Sequence, residues 1–300
     1  MPADNEKQEQ KEVTPAPIQN PWRIFAIEAF LFSLTLLLGI ATAFKINKIL
    51  AIQKIAISQT PHQYYLVGGF IFYFILATLL IFLISYFLKF KKGKRVFFKA
   101  IFILATFWGG ALLLSCWMPG LLAPILIGIL IFWWLKKPSI LVQDLCLILG
   151  IAGMGSILGL SLAPQIVVLL LVIFSIYDFI AVYKTKHMVK MAKEMIESKA
   201  ILALVVPQNI LGLRESLEEI KPGGKFLILG GGDIVFPLLL CVSLIPFGIL
   251  NSLIVAIFAL MGLLVGFLFF FLQKVRQPIP ALPPIAFFSI FGFLITKLIR

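Results

Sequence analysis

Two aspartates lie inside apolar runs that are long enough to cross a membrane. Asp178 belongs to the run 165–183 and Asp233 to the run 225–247. An ionisable group at membrane depth is costly, and such groups usually serve a function. Counted from the nearest lysine beside each run, the two carboxyl groups lie about 9 and 12 Å in from the same edge. Neither run carries a basic residue at that depth, so we expect the two carboxyl groups to face one another.

Two facing carboxyl groups can divide the work of an acid and a base. One of them keeps a proton, because two adjacent negative charges repel each other. The ionised group then activates a water molecule, while the protonated group donates to the carbonyl oxygen of a peptide bond. The pattern favours hydrolysis by Asp178 and Asp233, and it calls for no cofactor.

The residues around Asp233 interrupt an otherwise regular apolar run. Gly230, Gly231 and Gly232 precede it; each glycine costs a helix about 1 kcal/mol and lets another backbone come close. Pro237 lacks the N–H that would bond the Asp233 carbonyl. Irregular backbone at membrane depth is tolerated only where protein or a water-filled cavity covers it. These features predict a loosened helix at a covered site.

The last apolar run opens on a proline-rich stretch. Four prolines fall within residues 278–284, and this density predicts that no regular helix begins there. Exposed backbone groups in such a stretch can hold an extended peptide by strand-like pairing. A helical substrate must unwind before one of its peptide bonds is presented, so a surface of this kind has a use.

The composition places the whole chain in a membrane. Hydrophobic residues make up 61% and charged residues 13%, against about 45–50% and about 25% in soluble domains. A water-soluble core cannot cover that much apolar surface. We predict an all-α polytopic fold with nine transmembrane helices of about 20 residues each. The nine apolar runs are 22–44, 64–88, 96–118, 120–135, 139–163, 165–183, 225–247, 248–272 and 278–297.

The runs divide the chain into four parts. Residues 1–21 are polar and acidic, which predicts a disordered cytoplasmic tail. Residues 22–183 hold transmembrane helices one to six, and residues 225–300 hold helices seven to nine. Between them, residues 184–224 form a cytoplasmic loop that we interpret as a solvated connector with one or two surface helices, in preference to a gate.

The basic residues predict the orientation. Of the 26 lysines and arginines, 21 lie on the side of the N-terminal tail and 5 on the other. Positive charge favours the cytoplasmic side, so we expect the N-terminus in the cytoplasm and the C-terminus outside. Omitting the short run 120–135 would split the basic loops between both faces, which supports nine spans. Because topology accounts for the basic excess, we expect no nucleic-acid partner.

The cysteines and histidines do not indicate a metal site. Cys116, Cys146 and Cys241 are far apart in apolar runs and are interpreted as small buried hydrophobic residues. His62 and His187 lie in loops without cysteine or acidic neighbours at ligand spacing. We therefore predict no bound metal.

Two other acidic residues enter the apolar runs. Glu28 lies near Arg23 at the cytoplasmic end of the first run, where its side chain can reach the interface or form an ion pair. Asp144 lies early in the run 139–163, close to the lysines that precede it. A structural role is the favoured interpretation for both.

Three short motifs together resemble those of the presenilin and signal peptide peptidase family. They are Tyr177-Asp178, Gly230-Gly231-Gly232-Asp233 and Pro280-Ala281-Leu282-Pro283, in the order and in the sixth, seventh and ninth runs where the family carries them. The resemblance implies an intramembrane aspartyl protease with Asp178 and Asp233 as its catalytic pair. It further implies that the substrate-binding residues are Tyr177, Gly230, Gly231, Gly232, Pro280, Ala281, Leu282 and Pro283.

The resemblance also carries expectations about partners and location. A cytoplasmic N-terminus is similar to presenilins and opposite to signal peptide peptidases, which implies transmembrane substrates whose N-terminus is outside. The segment between the aspartates is far shorter than in eukaryotic presenilins, so self-cleavage and accessory subunits are not expected. The size is similar to compact archaeal homologues that act alone. We expect a multi-pass protein of the cell membrane. The sequence is compatible with a monomer or a homo-oligomer.

Two alternatives remain at this stage. Intramembrane carboxyl groups and broken helices also serve proton or cation paths, so a channel or transporter could use the same aspartates. No inverted repeat is visible, and the acidic residues lie near one face. A structural scaffold would explain the packing glycines between 150 and 159, but not the aspartate pair.

Overall fold

The computed structural model describes residues 20–53, 76, 91–184, 195–196, 201–217, 226–273 and 278–299. These residues contain eight α-helices and one two-stranded sheet. The helices are α1 Pro21–Ile52, α2 Lys91–Trp117, α3 Leu122–Lys136, α4 Ile140–Ser161, α5 Pro164–Phe179, α6 Gly231–Ser243, α7 Ile249–Leu272 and α8 Leu282–Leu298. The strands are β1 Ala203–Val206 and β2 Leu227–Gly230.

The described part of the chain is mostly helical, as predicted. Five of its helical segments are long and apolar enough to cross a bilayer, namely α1, α2, α4, α7, and α5 together with the π-helical turn Ile180–Lys184 that follows it. Helices α3, α6 and α8 are shorter but also apolar. The predicted run 64–88 lies outside the described residues apart from Leu76. Nine spans and the orientation therefore stay predictions.

The run 225–247 does not form one helix. Its first described residues pair as strand β2, and helix α6 begins only at Gly231. Three successive glycines weaken a helix. The backbone groups of β2 form hydrogen bonds with strand β1 and not within a helix. The sequence predicts a loosened helix before Asp233, and the structure has a change from strand β2 to helix α6 between Gly230 and Gly231.

The partner of β2 comes from the segment 184–224. Strand β1 pairs with β2 in antiparallel register, with Ala203 opposite Gly230 and Val206 opposite Leu227. All four residues of β1 are buried, and a short 3₁₀ helix follows at Ile210–Arg214. The expectation of a solvated connector with surface helices is corrected for residues 201–217, which pack against the helices.

Helix α4 packs closely against α2 because glycines replace side chains at their crossing. A Cβ atom added to Gly153 would lie 1.8 Å from the carbonyl oxygen of Gly109, and one added to Gly109 would lie 2.2 Å from that of Gly150. Helix α4 also packs against α1 and α6. The glycine run of α4 is therefore a packing surface, as its spacing predicts.

Replacing Gly153 with Ala should destabilise the fold. The new methyl group would meet backbone that cannot rotate away, and overpacking of this kind costs about 1–3 kcal/mol. The thermal midpoint of the purified protein in detergent measures the effect. Gly128→Ala is the matched control, because a Cβ there meets no atom within 4 Å and alanine favours a helix. Equal midpoints for the two variants would contradict this packing.

Candidate active site

Asp178 lies at the end of α5, where the helix changes character. It is the second-last residue before the π-helical turn Ile180–Lys184, a kind of widening that is frequent at functional sites. Its side chain is buried, with 5% of its surface exposed. The carboxyl oxygen Oδ2 accepts a hydrogen bond from the backbone N–H of Leu282 at 3.3 Å. One motif residue of the ninth run therefore touches the first aspartate.

Asp233 lies in the first turn of α6, where the glycines place it. Gly230 is the N-cap, so Asp233 is the third helical residue, and its carboxyl group accepts a hydrogen bond from the Gly230 backbone N–H. This is the carboxylate half of a capping box, and the helix dipole favours negative charge there. A Cβ added to Gly230 would lie 2.9 Å from Asp233 Oδ2, so glycine leaves room for the carboxyl group.

Helices α5 and α6 bring the two carboxyl groups together. The rings of Phe174 and Phe236 stack with centroids 4.5 Å apart, about one turn from Asp178 and Asp233 respectively. The two carboxyl groups are near enough to interact electrostatically, and both side chains are buried. The depths counted along the sequence thus correspond to two buried acidic side chains on helices that pack against each other.

Glu28 adds a third buried carboxyl group near this pair. Only 4% of its surface is exposed, and its Oε2 has no hydrogen-bond partner in the described residues. It is near enough to Asp233 to interact electrostatically, since α1 packs against α6. The expectation that Glu28 reaches the interface is corrected. The helical spacing of Ile24, Glu28 and Leu31, all buried, is the sequence feature that could have shown it.

Replacing Glu28 with Met should raise the stability of the fold. Burying an oxygen without a partner costs about 1–3 kcal/mol, and methionine fills a similar volume without that oxygen. We expect a higher thermal midpoint for Glu28→Met than for the parent. Glu28→Gln keeps a polar group and should gain less. A Glu28→Met midpoint well below that of the parent would show that this carboxyl group has partners that stabilise it.

The proline-rich segment forms a helix start, contrary to the expectation from its prolines. Residues 278–281 are not helical, and α8 begins at Leu282 with Pro283 and Pro284 in its first turn. The missing N–H groups of proline are tolerated there, because first-turn N–H groups have no partner within the helix. Gly262 of α7 lets α8 come close, since an added Cβ would lie 2.6 Å from Ile285 Cα. This packing holds Leu282 beside Asp178.

The other predicted site residues divide into buried and exposed groups. Pro280 and Leu282 are buried, and Ala281 and Pro283 are half-buried. Tyr177 is 43% exposed although its neighbour Asp178 is buried, so the tyrosine ring lies on the outer face of α5. Gly230, Gly231 and Gly232 lie at the junction of β2 and α6, and the Gly231 N–H donates to the Leu202 carbonyl oxygen at 3.2 Å.

Asp144 is buried and accepts a hydrogen bond from a distant part of the chain. It is 2% exposed, and its Oδ1 accepts a hydrogen bond from the Val205 backbone N–H at 2.9 Å. Its sequence position gave no indication of this contact, because Val205 is 61 residues away. The three cysteines are free thiols, and the described residues contain no group of three His, Cys, Asp or Glu side chains that could hold a metal.

Comparison with known proteins shows the family to which the chain belongs. Residues 27–300 match the family model described as signal-peptide peptidase, presenilin aspartyl protease, a range that contains both aspartates and the proline motif. The chain therefore belongs to this family of intramembrane aspartate proteases, which are integral membrane proteins. The predicted family and the predicted aspartic endopeptidase class are confirmed.

Solved structures show the same fold. A presenilin family intramembrane aspartate protease in space group C222 matches with a TM-score of 0.62 and 21% identity, over 94% of this chain and 100% of that chain. A structure of a presenilin family intramembrane aspartate protease in space group P2 matches with a TM-score of 0.59 and 24% identity, over 90% and 97%. A search of curated proteins finds no match.

Proposed function

We propose that Asp178 and Asp233 are the catalytic pair of this protease and that it hydrolyses peptide bonds within the transmembrane segments of membrane proteins. The observation that supports the proposal is that α5 and α6, which pack together, each carry a buried carboxyl group, and that the two groups interact electrostatically. Each accepts a backbone N–H, from Leu282 and Gly230 respectively. Two buried carboxyl groups that share one proton are an arrangement that serves acid–base hydrolysis.

The proposed reaction needs one proton on the pair and one water molecule. The ionised aspartate takes a proton from water, whose oxygen attacks the carbonyl carbon of the peptide bond. The protonated aspartate gives its proton to the carbonyl oxygen, which yields a tetrahedral diol. When the C–N bond breaks, the leaving nitrogen takes one proton from an aspartate and the other aspartate recovers the proton of the diol. The pair ends with one proton again, so no cofactor is consumed.

The proposed substrate site uses the strand that leads to Asp233. In the described residues β2 pairs only with β1, so its other edge can accept an extended peptide by strand addition. Strand β2 ends at Gly230, three residues before Asp233, and a paired substrate would be led toward the carboxyl groups. Residues 280–283 would help by holding Asp178 through Leu282. In this proposal the glycines, the proline motif and Tyr177 form the substrate-binding set.

The proposed topology and orientation follow from the distribution of basic residues along the chain. We propose nine spans with the N-terminus in the cytoplasm, the C-terminus outside and residues 184–224 on the cytoplasmic side, supported by 21 basic residues on one side against 5 on the other. The substrates would then have their N-terminus outside. We place the protein in the cell membrane, acting without accessory subunits, either alone or as a homo-oligomer.

The test is cleavage by the purified protein in liposomes that contain a single-span peptide. The proposal expects two products whose masses add up to the peptide plus one water. An ion-flux assay on the same liposomes addresses the channel or transporter alternative, which neither the geometry nor the comparisons favour. Flux that requires both aspartates, in the absence of any cleavage, would reverse the ranking of the two functions.

The rate of cleavage should depend on pH with a single maximum. Below the maximum both carboxyl groups carry protons and no base remains; above it both are ionised and no acid remains. Activity should therefore fall on each side within the range from about pH 4 to 9. The measurement is kcat in liposomes equilibrated at each pH. A flat profile over that range would contradict a shared proton.

A further inference from the structure

Two buried polar side chains at the start of α4 hold the backbone of the 201–206 segment. Gln143 is fully buried and Asp144 is 2% exposed. Asp144 Oδ1 accepts the Val205 N–H at 2.9 Å, and the Gln143 side-chain amide donates to the Ile201 carbonyl oxygen. Trp134 of α3 fixes the orientation of that amide, because its Nε1 donates to Gln143 Oε1 at 2.7 Å.

The bond from Val205 leaves the sheet intact. Backbone N–H groups along a strand point alternately to its two sides, so the Val205 N–H that meets Asp144 points away from β2. Asp144 therefore occupies the outer edge of β1, while the inner edge keeps its ladder with β2. An edge N–H buried at this depth would otherwise lack a partner, and the carboxylate supplies one.

The same backbone segment holds the start of the helix that carries Asp233. The Leu202 carbonyl oxygen accepts the Gly231 N–H at 3.2 Å. Gly231 is the first residue of α6, and its N–H is one of the donors that a helix leaves without an internal partner. A continuous set of contacts thus runs from the start of α4 through residues 201–205 to the first turn of α6.

The far end of the segment is also attached to the start of α4. The Ile140 N–H donates to the Glu215 carbonyl oxygen at 3.1 Å, and the Leu217 N–H donates to the Pro138 carbonyl oxygen at 3.0 Å. Both described ends of residues 201–217 are therefore tied to one place in the helical bundle. The start of α4 therefore supports strand β1. Gly231 in turn is held by this segment through its bond to Leu202.

We propose that Gln143 and Asp144 are positioning residues for the cleavage reaction, which hold residues 201–205 so that these set the place of Gly231 and of the Asp233 carboxyl group. The inference rests on the proposed role of Asp233. Neither residue touches the substrate. A buried carboxyl group is costly in this environment, and within the described part of the chain the Oδ2 atom of Asp144 has no hydrogen-bond partner. An apolar residue at position 144 would avoid that cost. What Asp144 provides in return is a hydrogen-bond acceptor for the Val205 N–H.

The experiment compares Asp144→Leu with Asp144→Asn in the liposome cleavage assay. Leucine removes the acceptor, and we expect kcat to fall about 100-fold with little change in KM, because small misplacements of a reacting group have effects of this size. Asparagine keeps a side-chain oxygen for the Val205 N–H and should restore kcat to within about fivefold of the parent, or about 1 kcal/mol in activation free energy. Hydrogen exchange at residues 203–206 should quicken in Asp144→Leu and not in Asp144→Asn.

Leu160→Ala is the matched control for a general loss of stability. Leu160 is buried on the same helix, 16 residues or about 24 Å from Asp144, and it lies at the opposite end from residues 201–206. It should lower the thermal midpoint and leave kcat close to that of the parent at temperatures where it is folded. An equal loss of kcat in Leu160→Ala and Asp144→Leu would overturn the inference, as would an Asp144→Asn variant as slow as Asp144→Leu.

Val205→Pro tests the same bond from its other side and decides the matter if Asp144→Leu does not fold. Proline removes the N–H donor on the outer side of β1, while the ladder with β2 uses the other side of the strand. We expect a similar loss of kcat; a parental kcat would overturn the inference. Asp233→Ala separates the two claims. If Asp233→Ala still cleaves, the proposed function fails, and if it is inactive while Asp144→Leu keeps its kcat, only the positioning role fails.

Discussion

Replacing Asp233 with Asn is expected to lower kcat for cleavage of a transmembrane peptide by about 10⁴-fold. The amide cannot exchange protons with water and substrate as a carboxyl group does, so the pair loses one of its two functions. Asparagine is close in size to aspartate, and its side-chain oxygen can still accept the Gly230 N–H that caps α6. The fold should therefore survive, and single-turnover cleavage in liposomes measures the loss of chemistry.

Asp178→Asn is the partner variant for this test. Its side-chain oxygen can likewise accept the Leu282 N–H, and its loss of kcat should match that of Asp233→Asn. The double variant should be no slower than either single variant, because groups that act as a unit are strongly non-additive. A purified Asp233→Asn protein that cleaves within tenfold of the parent rate would contradict the catalytic pair.

Gly230→Val should also lower the cleavage rate strongly, through the position of the Asp233 carboxyl group. Even a Cβ atom at position 230 would lie 2.9 Å from Asp233 Oδ2, so the bulkier valine must turn the carboxyl group out of its place. That displacement should lower kcat about 100-fold. The fold should change little, since valine suits the end of strand β2 and the atom that moves is the tip of a side chain. Kinetics and the thermal midpoint should be measured together.

The comparison within the same motif is Gly232→Ala. An added Cβ there meets only the Phe236 ring at 4.0 Å, an ordinary contact, so the loss of kcat should be clearly smaller than for Gly230→Val. If the two variants lose the same activity, the glycines act through backbone flexibility and not through the space they leave beside Asp233.

The sequence was most informative where the physical constraint is local. A carboxyl group in an apolar run is conspicuous whatever surrounds it, so Asp178 and Asp233 could be selected, and their similar depth could be counted from the flanking lysines. Most helices in the described residues were also foreseeable, because a membrane requires long apolar runs with satisfied backbones. The apolar runs around α1, α2, α4, α5 and α7 have these properties.

The sequence was least informative where the partner is distant along the chain. Strands β1 and β2 have four residues each and pair across more than 20 residues, and such short apolar stretches show no periodicity that distinguishes a strand from a helix. The role of Asp144 is hard to predict for the same reason, because its hydrogen-bond partner Val205 belongs to strand β1. Without knowledge of the sheet, a carboxyl group close to two lysines suggests only an ion pair.

Two local sequence features, an acidic residue near a basic one and a high density of prolines, are misleading when taken alone. The short distance to Arg23 suggests that Glu28 reaches the interface, whereas the buried residues spaced along α1 place it on the inward face. The density of prolines in residues 278–284 suggests that no helix begins there, whereas Pro283 and Pro284 occupy a first turn that does not need their N–H groups.

The most direct test of the catalytic pair is a structure with a transition-state mimic bound, in which a tetrahedral hydroxyl replaces the scissile peptide bond. The measured quantities are the distances from that hydroxyl to the carboxyl oxygens of Asp178 and Asp233. We predict that both lie within hydrogen-bond reach, about 2.6–3.2 Å, with the mimic extended beside β2. A mimic that inhibits cleavage but binds with either carboxyl group out of reach of its hydroxyl, even through one water, would contradict the account.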